Sequence, residues 1–294
     1  MKNNRIRIVA LLILQTLWLE TSHSADPGSP KFDMEVSRQE SIYHSEGERV
    51  PEGYTVDRSL SVYADALCSG FDRSLANLTP EDRWLDIGAG KGQAILDYYA
   101  PSYDLTHLEG RERRGKKARA VAISIEDRRT PVWHQTAASL GAIQIQYLFN
   151  KRLREYSLAE LGQFQVITDV IGGFSYASDL TLFMEKALGF LGLNGSLYTL
   201  LQDVHAEAGT NRPFYKDAPF LTEIVNADGS EVKICSWLKS ITCVEVTCEL
   251  KADWKPPVEA FRIRKVCNEV AVPALVRINY NAGTPPERRY QLKN

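Results

Sequence analysis

The stretch WLDIGAGKGQAI, residues 84–95, decides how this chain is interpreted. An apolar run ends at Asp86, and glycines follow at the alternate positions Gly88, Gly90 and Gly92. Glycine has no Cβ, so it adopts positive φ readily and lets a ligand or another backbone approach closely. The stretch therefore predicts a turn from a strand into a helix, shaped to lie against a ligand.

Residue spacing separates this turn from two well-known nucleotide-binding loops. A P-loop needs Gly-Lys followed by Ser or Thr, whereas Lys91 is followed by Gly92 and the expected first glycine is Leu85. The dinucleotide fingerprint GxGxxG needs glycine where the chain has Gln93. What remains is Asp-x-Gly-x-Gly-x-Gly, which suits a ligand with an ammonium group, a carboxylate and a ribose but no pyrophosphate.

Strand and helix patterns alternate along the middle of the chain, which predicts βαβ units and a parallel sheet with helices on both faces. Two further strands near the C-terminus, 241–250 and 259–267, predict an antiparallel hairpin at the sheet edge. The other predicted elements are a helix at 58–76, strands at 83–88, 118–125, 143–149, 165–173 and 195–204, and helices at 91–99, 131–140 and 179–191.

The chain resembles the class I S-adenosylmethionine-dependent methyltransferases over about residues 58–267. LDIGAGKG fits the first motif of that family at every defined position, and the closing hairpin matches the family's last strand, which inserts beside the fifth. The resemblance implies a three-layer Rossmann-like α/β sandwich with a seven-stranded, mostly parallel sheet. We assign residues 58–270 to this domain, 25–57 to an extended lead-in and 271–294 to a C-terminal tail.

The resemblance also implies a cofactor, S-adenosyl-L-methionine, and residues that bind it. Asp86, Gly88, Ala89 and Gly90 would line its methionine and ribose portion. Asp169, at the end of the fourth strand, would face the sulfonium or the substrate.

Two further cofactor contacts are expected at the ends of the second and third strands. Glu126 would bind the ribose hydroxyls, with Asp127 as the alternative, because Ser124 stands where many members carry that acid. Asn150 would contact the adenine or, alternatively, cap its strand.

The sequence leaves the methyl acceptor and the catalytic base open. DVIGGFSY, residues 169–176, lacks the [DN]PP[YF] box of the amino-methylating branch, which disfavours DNA adenine or glutamine methylation. Tyr176 is a candidate for the acceptor pocket or a core aromatic. His205 is a candidate base or a surface residue, and residues 206–219 are a candidate lid. Methyl transfer needs positioning more than a visible catalytic constellation.

Three functions remain open at this point. The first is methyl transfer from S-adenosyl-L-methionine to a small-molecule or unknown acceptor. The second is an aminopropyltransferase-like reaction, which would need acidic pairs for a polyamine. The third is an exported, non-catalytic protein that retains the fold.

Composition narrows the possible partners. The 294 residues are 44% hydrophobic with a formal net charge of −2, and the sequence pI is about 6.3, so bulk charge does not predict nucleic-acid binding. We expect a small-molecule substrate, and oligomeric state is left open.

The N-terminus predicts a secretory signal peptide over residues 1–24. Lys2, Arg5 and Arg7 precede an apolar run, and the small residues Ser22 and Ser24 suit a leader peptidase. We expect an exported chain with no membrane contact beyond this leader, or a cytoplasmic one if the leader is not genuine. Export conflicts with a cofactor that is made inside the cell.

Five cysteines lie at positions 68, 235, 243, 248 and 267, without CxxC or paired Cys/His spacing, so we expect no metal site. We expect buried free thiols. The alternative, for an exported chain, is a bond between Cys243 and Cys267 on neighbouring strands.

Overall fold

A computed structural model of the chain describes residues 58–101, 103, 117–125, 127–141, 144–177, 179–202, 221–254, 257–281 and 287–293. The predicted leader, the lead-in, Glu126, His205 and the candidate lid lie outside these described residues. Among the described helices, none is long and apolar enough to cross a membrane.

Short helices and strands alternate along the described chain. The helices are α1 (Leu60–Ala66), α2 (Phe71–Ala76), α3 (Gln93–Tyr99), α4 (Pro131–Leu140), α5 (Leu158–Leu161), α6 (Gly173–Tyr176), α7 (Leu180–Phe190) and α8 (Ile234–Lys239), with a 3-10 turn at Leu153–Glu155. The strands are β1 (Arg83–Ile87), β2 (Arg119–Ile123), β3 (Ile145–Leu148), β4 (Phe164–Asp169), β5 (Leu191–Gln202), β6 (Leu221–Val225), β7 (Glu231–Val232), β8 (Val244–Lys251), β9 (Val258–Lys265), β10 (Leu275–Asn281) and β11 (Glu287–Leu292).

Seven strands form the main sheet in the order β3-β2-β1-β4-β5-β9-β8. The first five are parallel, and β9 runs antiparallel between β5 and β8. This confirms the predicted fold class, including the hairpin whose last strand lies beside the fifth. The register pairs Ile87 with Asp169, so the ends of β1 and β4 meet at one edge.

Successive strand residues face two separate apolar cores, as period-two alternation requires. Leu85 and Ile87 pack into one core with Phe183 of α7 and Trp237 of α8. Trp84 packs into the other core, with residues of α1 to α4. The sheet is therefore the middle of three layers.

Several element boundaries differ from the prediction for local reasons. The helix predicted at 58–76 is two helices, because the chain turns at Gly70, whose φ is +89°. The strand predicted at 165–173 ends at Asp169, and the following residues form a loop with Ile171 at φ +51°.

A second sheet, which the sequence analysis did not predict, has the strand order β10-β11-β6-β7. It joins residues 221–232 to the segment assigned as a C-terminal tail, and β11 pairs in parallel with β6. Its Arg288 is buried and donates to the carbonyl oxygens of Phe174, at 2.8 Å, and of Ala177. The second sheet is thus attached directly to α6.

The expectation of free thiols is wrong for four of the five cysteines. Cys235 is bonded to Cys248 and Cys243 to Cys267, with Cα atoms 6.2 and 4.9 Å apart. The alternative pairing of Cys243 with Cys267 is confirmed. The other bond was missed because α8, which packs against β8 and carries Cys235, was not predicted. Cys68 is a buried free thiol.

Candidate functional site

The glycine loop after β1 has the backbone conformation that its sequence requires. Gly88 and Gly90 have φ of +68° and +56°, a region that residues with a Cβ rarely adopt. The amides of Gly88 and Ala89 both donate to the carbonyl oxygen of Ile123, at 2.9 and 3.1 Å. This fixes the loop to the end of β2.

Gly88 also permits a close approach between two loops. A Cβ at Gly88 would lie 2.7 Å from the Cα of Gly172, in the loop after β4. The two backbones therefore pack directly on each other. On the other side, Tyr147 of β3 donates its hydroxyl to the carbonyl oxygen of Gly90.

A pocket opens at the carboxyl ends of β1, β2 and β4, where ligands bind in open parallel sheets. Its backbone-rich wall is formed by Gly88, Gly90, Ser124 and Gly172. Phe183 and Leu182 of α7 contribute an apolar side. The glycine loop, singled out from sequence, is thus part of the wall of a real cavity.

Asp86 lies behind this wall, fully buried, and is not among the residues that line the pocket. Tyr63 donates its hydroxyl to both carboxyl oxygens at 3.1 Å, and Thr168 donates to one of them at 2.7 Å. Trp84 in turn donates to the Thr168 hydroxyl at 2.8 Å. Burial raises the pKa of Asp86 to about 7, against the lowering effect of the Thr168 and Tyr63 hydrogen bonds.

Asp169, at the end of β4, is also fully buried, and burial raises its pKa to about 6. Its Oδ2 accepts from the Phe174 amide at 3.0 Å and the Thr199 hydroxyl at 2.8 Å. Its Oδ1 has no hydrogen-bond partner among the described residues. A backbone hydrogen bond from Gly173 also lowers the pKa of this carboxyl group, and Asp169, like Asp86, is not among the residues that line the pocket.

The loop after Asp169 holds a second sign of a functional site. Ile171 lines the pocket with φ +51°, an uncommon conformation for a β-branched residue. Such strain is concentrated at binding and catalytic sites, where surrounding structure imposes it.

The remaining residues predicted to contact the cofactor or the acceptor have the following positions and contacts. Asn150 is exposed, with φ +67°, and donates its amide to the Ile125 carbonyl at 3.0 Å. Asp127, the alternative to Glu126, pairs with Arg129 through two hydrogen bonds of 2.8 and 2.6 Å. Tyr176 is the last residue of α6. Their contacts with a cofactor or an acceptor stay predictions, as do those of Glu126 and His205.

Sequence reasoning missed the basic side of the pocket. Five cationic residues line it, namely Arg58, Arg128, Lys151, Arg152 and Arg154. A signal was present, because KRLR, residues 151–154, follows the third predicted strand, which ends at 149, after a single intervening residue, at the edge where ligands bind. No group of three or more His, Cys, Asp or Glu side chains suited to a metal ion occurs in the described part of the chain.

Comparisons with known proteins add likenesses in fold only. No protein family model and no curated protein matches the chain. A solved putative O-methyltransferase from Klebsiella pneumoniae aligns with a TM-score of 0.41 and 12% identity, over 83% of this chain and 93% of that one. A precorrin-6y C5,15-methyltransferase from Geobacter metallireducens aligns with a TM-score of 0.39 and 14% identity, over 70% and 88%.

A third solved structure, an rRNA methylase from Streptococcus thermophilus, aligns with a TM-score of 0.37 and 12% identity, over 67% of this chain and 94% of that one. These scores are low, and the fold is established by the chain's own sheet. Its strand order and its antiparallel β9 beside β5 are those of the Rossmann-like α/β fold that the sequence predicts.

Proposed function

We propose that this protein is an S-adenosyl-L-methionine-dependent methyltransferase that acts on a small molecule. One observation carries the proposal: Gly88 and Gly90 of the Asp-x-Gly-x-Gly-x-Gly loop form part of the wall of the pocket at the carboxyl ends of β1, β2 and β4. In sequence this loop matches the family's first motif. All three glycines of the loop have positive φ, and Gly88 and Gly90, which line the pocket, let a ligand lie against bare backbone.

The residues around the pocket fit the cofactor. Gly88, Gly90 and Ser124 would line its methionine and ribose portion, and Glu126 would bind the ribose hydroxyls. The role of Asp169 near the sulfonium stays a prediction from the sequence, because its carboxyl group is fully buried and is not among the groups that line the pocket. The bound cofactor would supply an activated methyl group, so the task of these residues is to hold it in position and exclude water.

Asp86 holds the glycine loop through hydrogen bonds behind the wall of the pocket. Its carboxyl group accepts from Tyr63 of α1 and Thr168 of β4, so it connects the glycine loop to both elements. We propose that this network fixes the loop in its binding conformation, in addition to the ligand contact predicted from sequence.

The aminopropyltransferase alternative has less support. A polyamine acceptor needs carboxylates, whereas the described lining residues include five cations and a single acid, Asp179. Like charges in a partly enclosed site repel, so a polycation would bind poorly there.

Calorimetric titration of the purified full chain with S-adenosyl-L-methionine and S-adenosylhomocysteine tests the proposal. We expect micromolar binding of both. Gly90→Val should abolish it, because a branched side chain would enter the pocket and strain the loop. Gly141→Val is the matched control, since Gly141 also has positive φ but has open space around it.

Binding that survives in Gly90→Val, or no binding by folded wild-type protein, would contradict the proposal. Binding without methyl transfer to any acceptor would favour the exported, non-catalytic alternative.

A further inference from the structure

Tyr147 lies on β3, an edge strand of the main sheet, behind the wall of the pocket. Its side chain is buried, and it is not among the residues that line the cavity. Its hydroxyl donates to the carbonyl oxygen of Gly90, which does line the cavity. Tyr147 therefore acts on the pocket through the glycine loop.

The same hydroxyl also holds the segment that follows β2. Burial raises the pKa of Tyr147, and hydrogen bonds with the Ser124 side chain and the Arg128 backbone act in the opposite direction. Ser124 and Arg128 both line the pocket. With its pKa raised, the hydroxyl keeps its proton at neutral pH and remains a donor to Gly90. One buried hydroxyl thus joins two segments of the pocket wall, after β1 and after β2.

The ring of Tyr147 is held in place by its packing. It meets the ring of Trp133 of α4 edge to face, with centroids 5.3 Å apart and planes at 77°. Trp133 is itself buried and packs on Gly92, where an added Cβ would overlap the indole ring. The guanidinium of Arg129 lies 5.7 Å from the centroid of the Tyr147 ring, within reach of a cation–π contact. The direction of the hydroxyl is therefore fixed by its surroundings.

Gly90 is the position of the glycine loop where such a restraint matters. The amides of Gly88 and Ala89 are bonded to the Ile123 carbonyl, whereas the Gly90 carbonyl is bonded to Tyr147. Glycine has more conformational freedom than any other residue, so each restraint on it removes many alternative backbone conformations. A loop restrained in the bound conformation loses less entropy when a ligand binds, which raises affinity.

We infer that Tyr147 is a positioning residue for cofactor binding, because its hydroxyl holds the Gly90 carbonyl at a fixed distance from the segment after β2. This inference rests on the proposed function. It adds a residue from β3 that lies outside the glycine motif and does not line the pocket itself.

Tyr147→Phe tests the inference, because it removes the hydroxyl and keeps the ring that packs on Trp133. Calorimetric titration of the full chain should show the Kd for S-adenosylhomocysteine raised about three- to tenfold, the range that one neutral hydrogen bond contributes. Hydrogen exchange followed by mass spectrometry, with no ligand added, should show faster exchange over residues 88–92 than in the wild-type chain.

Tyr99→Phe is the matched control. The Tyr99 hydroxyl also donates to backbone carbonyl oxygens, those of Ala118 and, at 2.9 Å, Gln144. These residues directly precede β2 and β3, so they lie at the ends of the strands opposite the pocket. Tyr99→Phe should lower stability in urea as Tyr147→Phe does, but it should leave the Kd and the exchange over residues 88–92 unchanged.

Failure of this inference is distinguishable from failure of the proposed function. A wild-type Kd in Tyr147→Phe, equal weakening by Tyr99→Phe, or unchanged exchange over residues 88–92 would overturn the positioning role. Loss of the fold in Tyr147→Phe alone would also overturn it, because Tyr147 would then be a general structural residue. Absence of S-adenosylhomocysteine binding by the folded wild-type chain would instead overturn the proposed function, and with it the role of Tyr147 towards the cofactor.

Discussion

At the level of single residues, Gly88 is constrained both by its own backbone and by a neighbouring loop. Its φ is +68°, and an added Cβ would lie 2.7 Å from the Cα of Gly172. Gly88→Ala should therefore lower the free energy of unfolding by about 1–2 kcal/mol for the left-handed conformation, plus about 1–3 kcal/mol for the overlap. Urea denaturation measures the loss.

Gly229→Ala separates these two contributions. Gly229 has φ +84° but nothing within 4 Å of the added Cβ, so it should lose only about 1–2 kcal/mol. Equal losses at the two positions would contradict the claim that the β1 and β4 loops are packed backbone to backbone.

The buried carboxyl of Asp86 makes stability depend on pH. Burial raises its pKa from 3.8 to about 7, so the folded chain retains a proton that the unfolded chain releases. Stability should therefore fall as pH rises from about 4 to 7. Asp86→Asn removes this titration and should reduce the fall by ~2–4 kcal/mol, measured by urea unfolding at pH 4.5 and pH 8.

Asp228→Asn is the control for that experiment. Asp228 is exposed, and its hydrogen bonds to Ser230 lower its pKa below 3.8, so its titration lies outside the pH range tested. An unchanged pH dependence in Asp86→Asn would show that Asp86 is ionised in the folded chain throughout that range.

At the level of elements, Arg288 attaches the second sheet to the site. Its guanidinium donates to the carbonyl oxygens of Phe174 and Ala177 and to the Thr222 hydroxyl, at 2.7 Å for the last. Arg288→Met would leave buried carbonyls without donors, so it should destabilise the fold by about 3 kcal/mol and weaken S-adenosylhomocysteine binding. Chemical denaturation and calorimetry would measure the two effects.

Arg289→Met is the neighbouring control. Arg289 pairs with Glu223 at 2.9 Å, with both side chains about half exposed, and such pairs contribute up to about 1 kcal/mol. If Arg288→Met behaved like Arg289→Met, the second sheet would not support α6 in the way the hydrogen bonds indicate.

The sequence was most informative where the signal was local. The glycines of the β1 loop and Pro131 at the start of α4 specify backbone conformation within a few residues, and both predictions agree with the structure. The grouping of Arg128 with Arg152 and Arg154 around one pocket required knowing that β2 and β3 are neighbours in the sheet. The bond between Cys235 and Cys248 required knowing that α8 packs on β8. Contacts distant in sequence leave no periodic pattern to detect.

At the level of the whole molecule, the disulfides bear on where the protein works. The Cys235–Cys248 bond links α8 to β8, and the Cys243–Cys267 bond links the residue before β8 to a residue just after β9. Disulfides persist in oxidising compartments and are rare in the cytosol. The two disulfides therefore support the export that the N-terminal residues predict. An exported chain would be separated from a cofactor that is made inside the cell.

We propose that the chain is exported and uses cofactor supplied to that compartment. Protein isolated from its native host should begin near Ala25, and thiol alkylation followed by mass spectrometry should find Cys68 as the one alkylated cysteine, after unfolding. A chain that begins at Met1 with five alkylated cysteines would contradict export. That result would also remove the conflict between export and the cofactor, because a reduced chain retained in the cell would be in the compartment where the methyl donor is made.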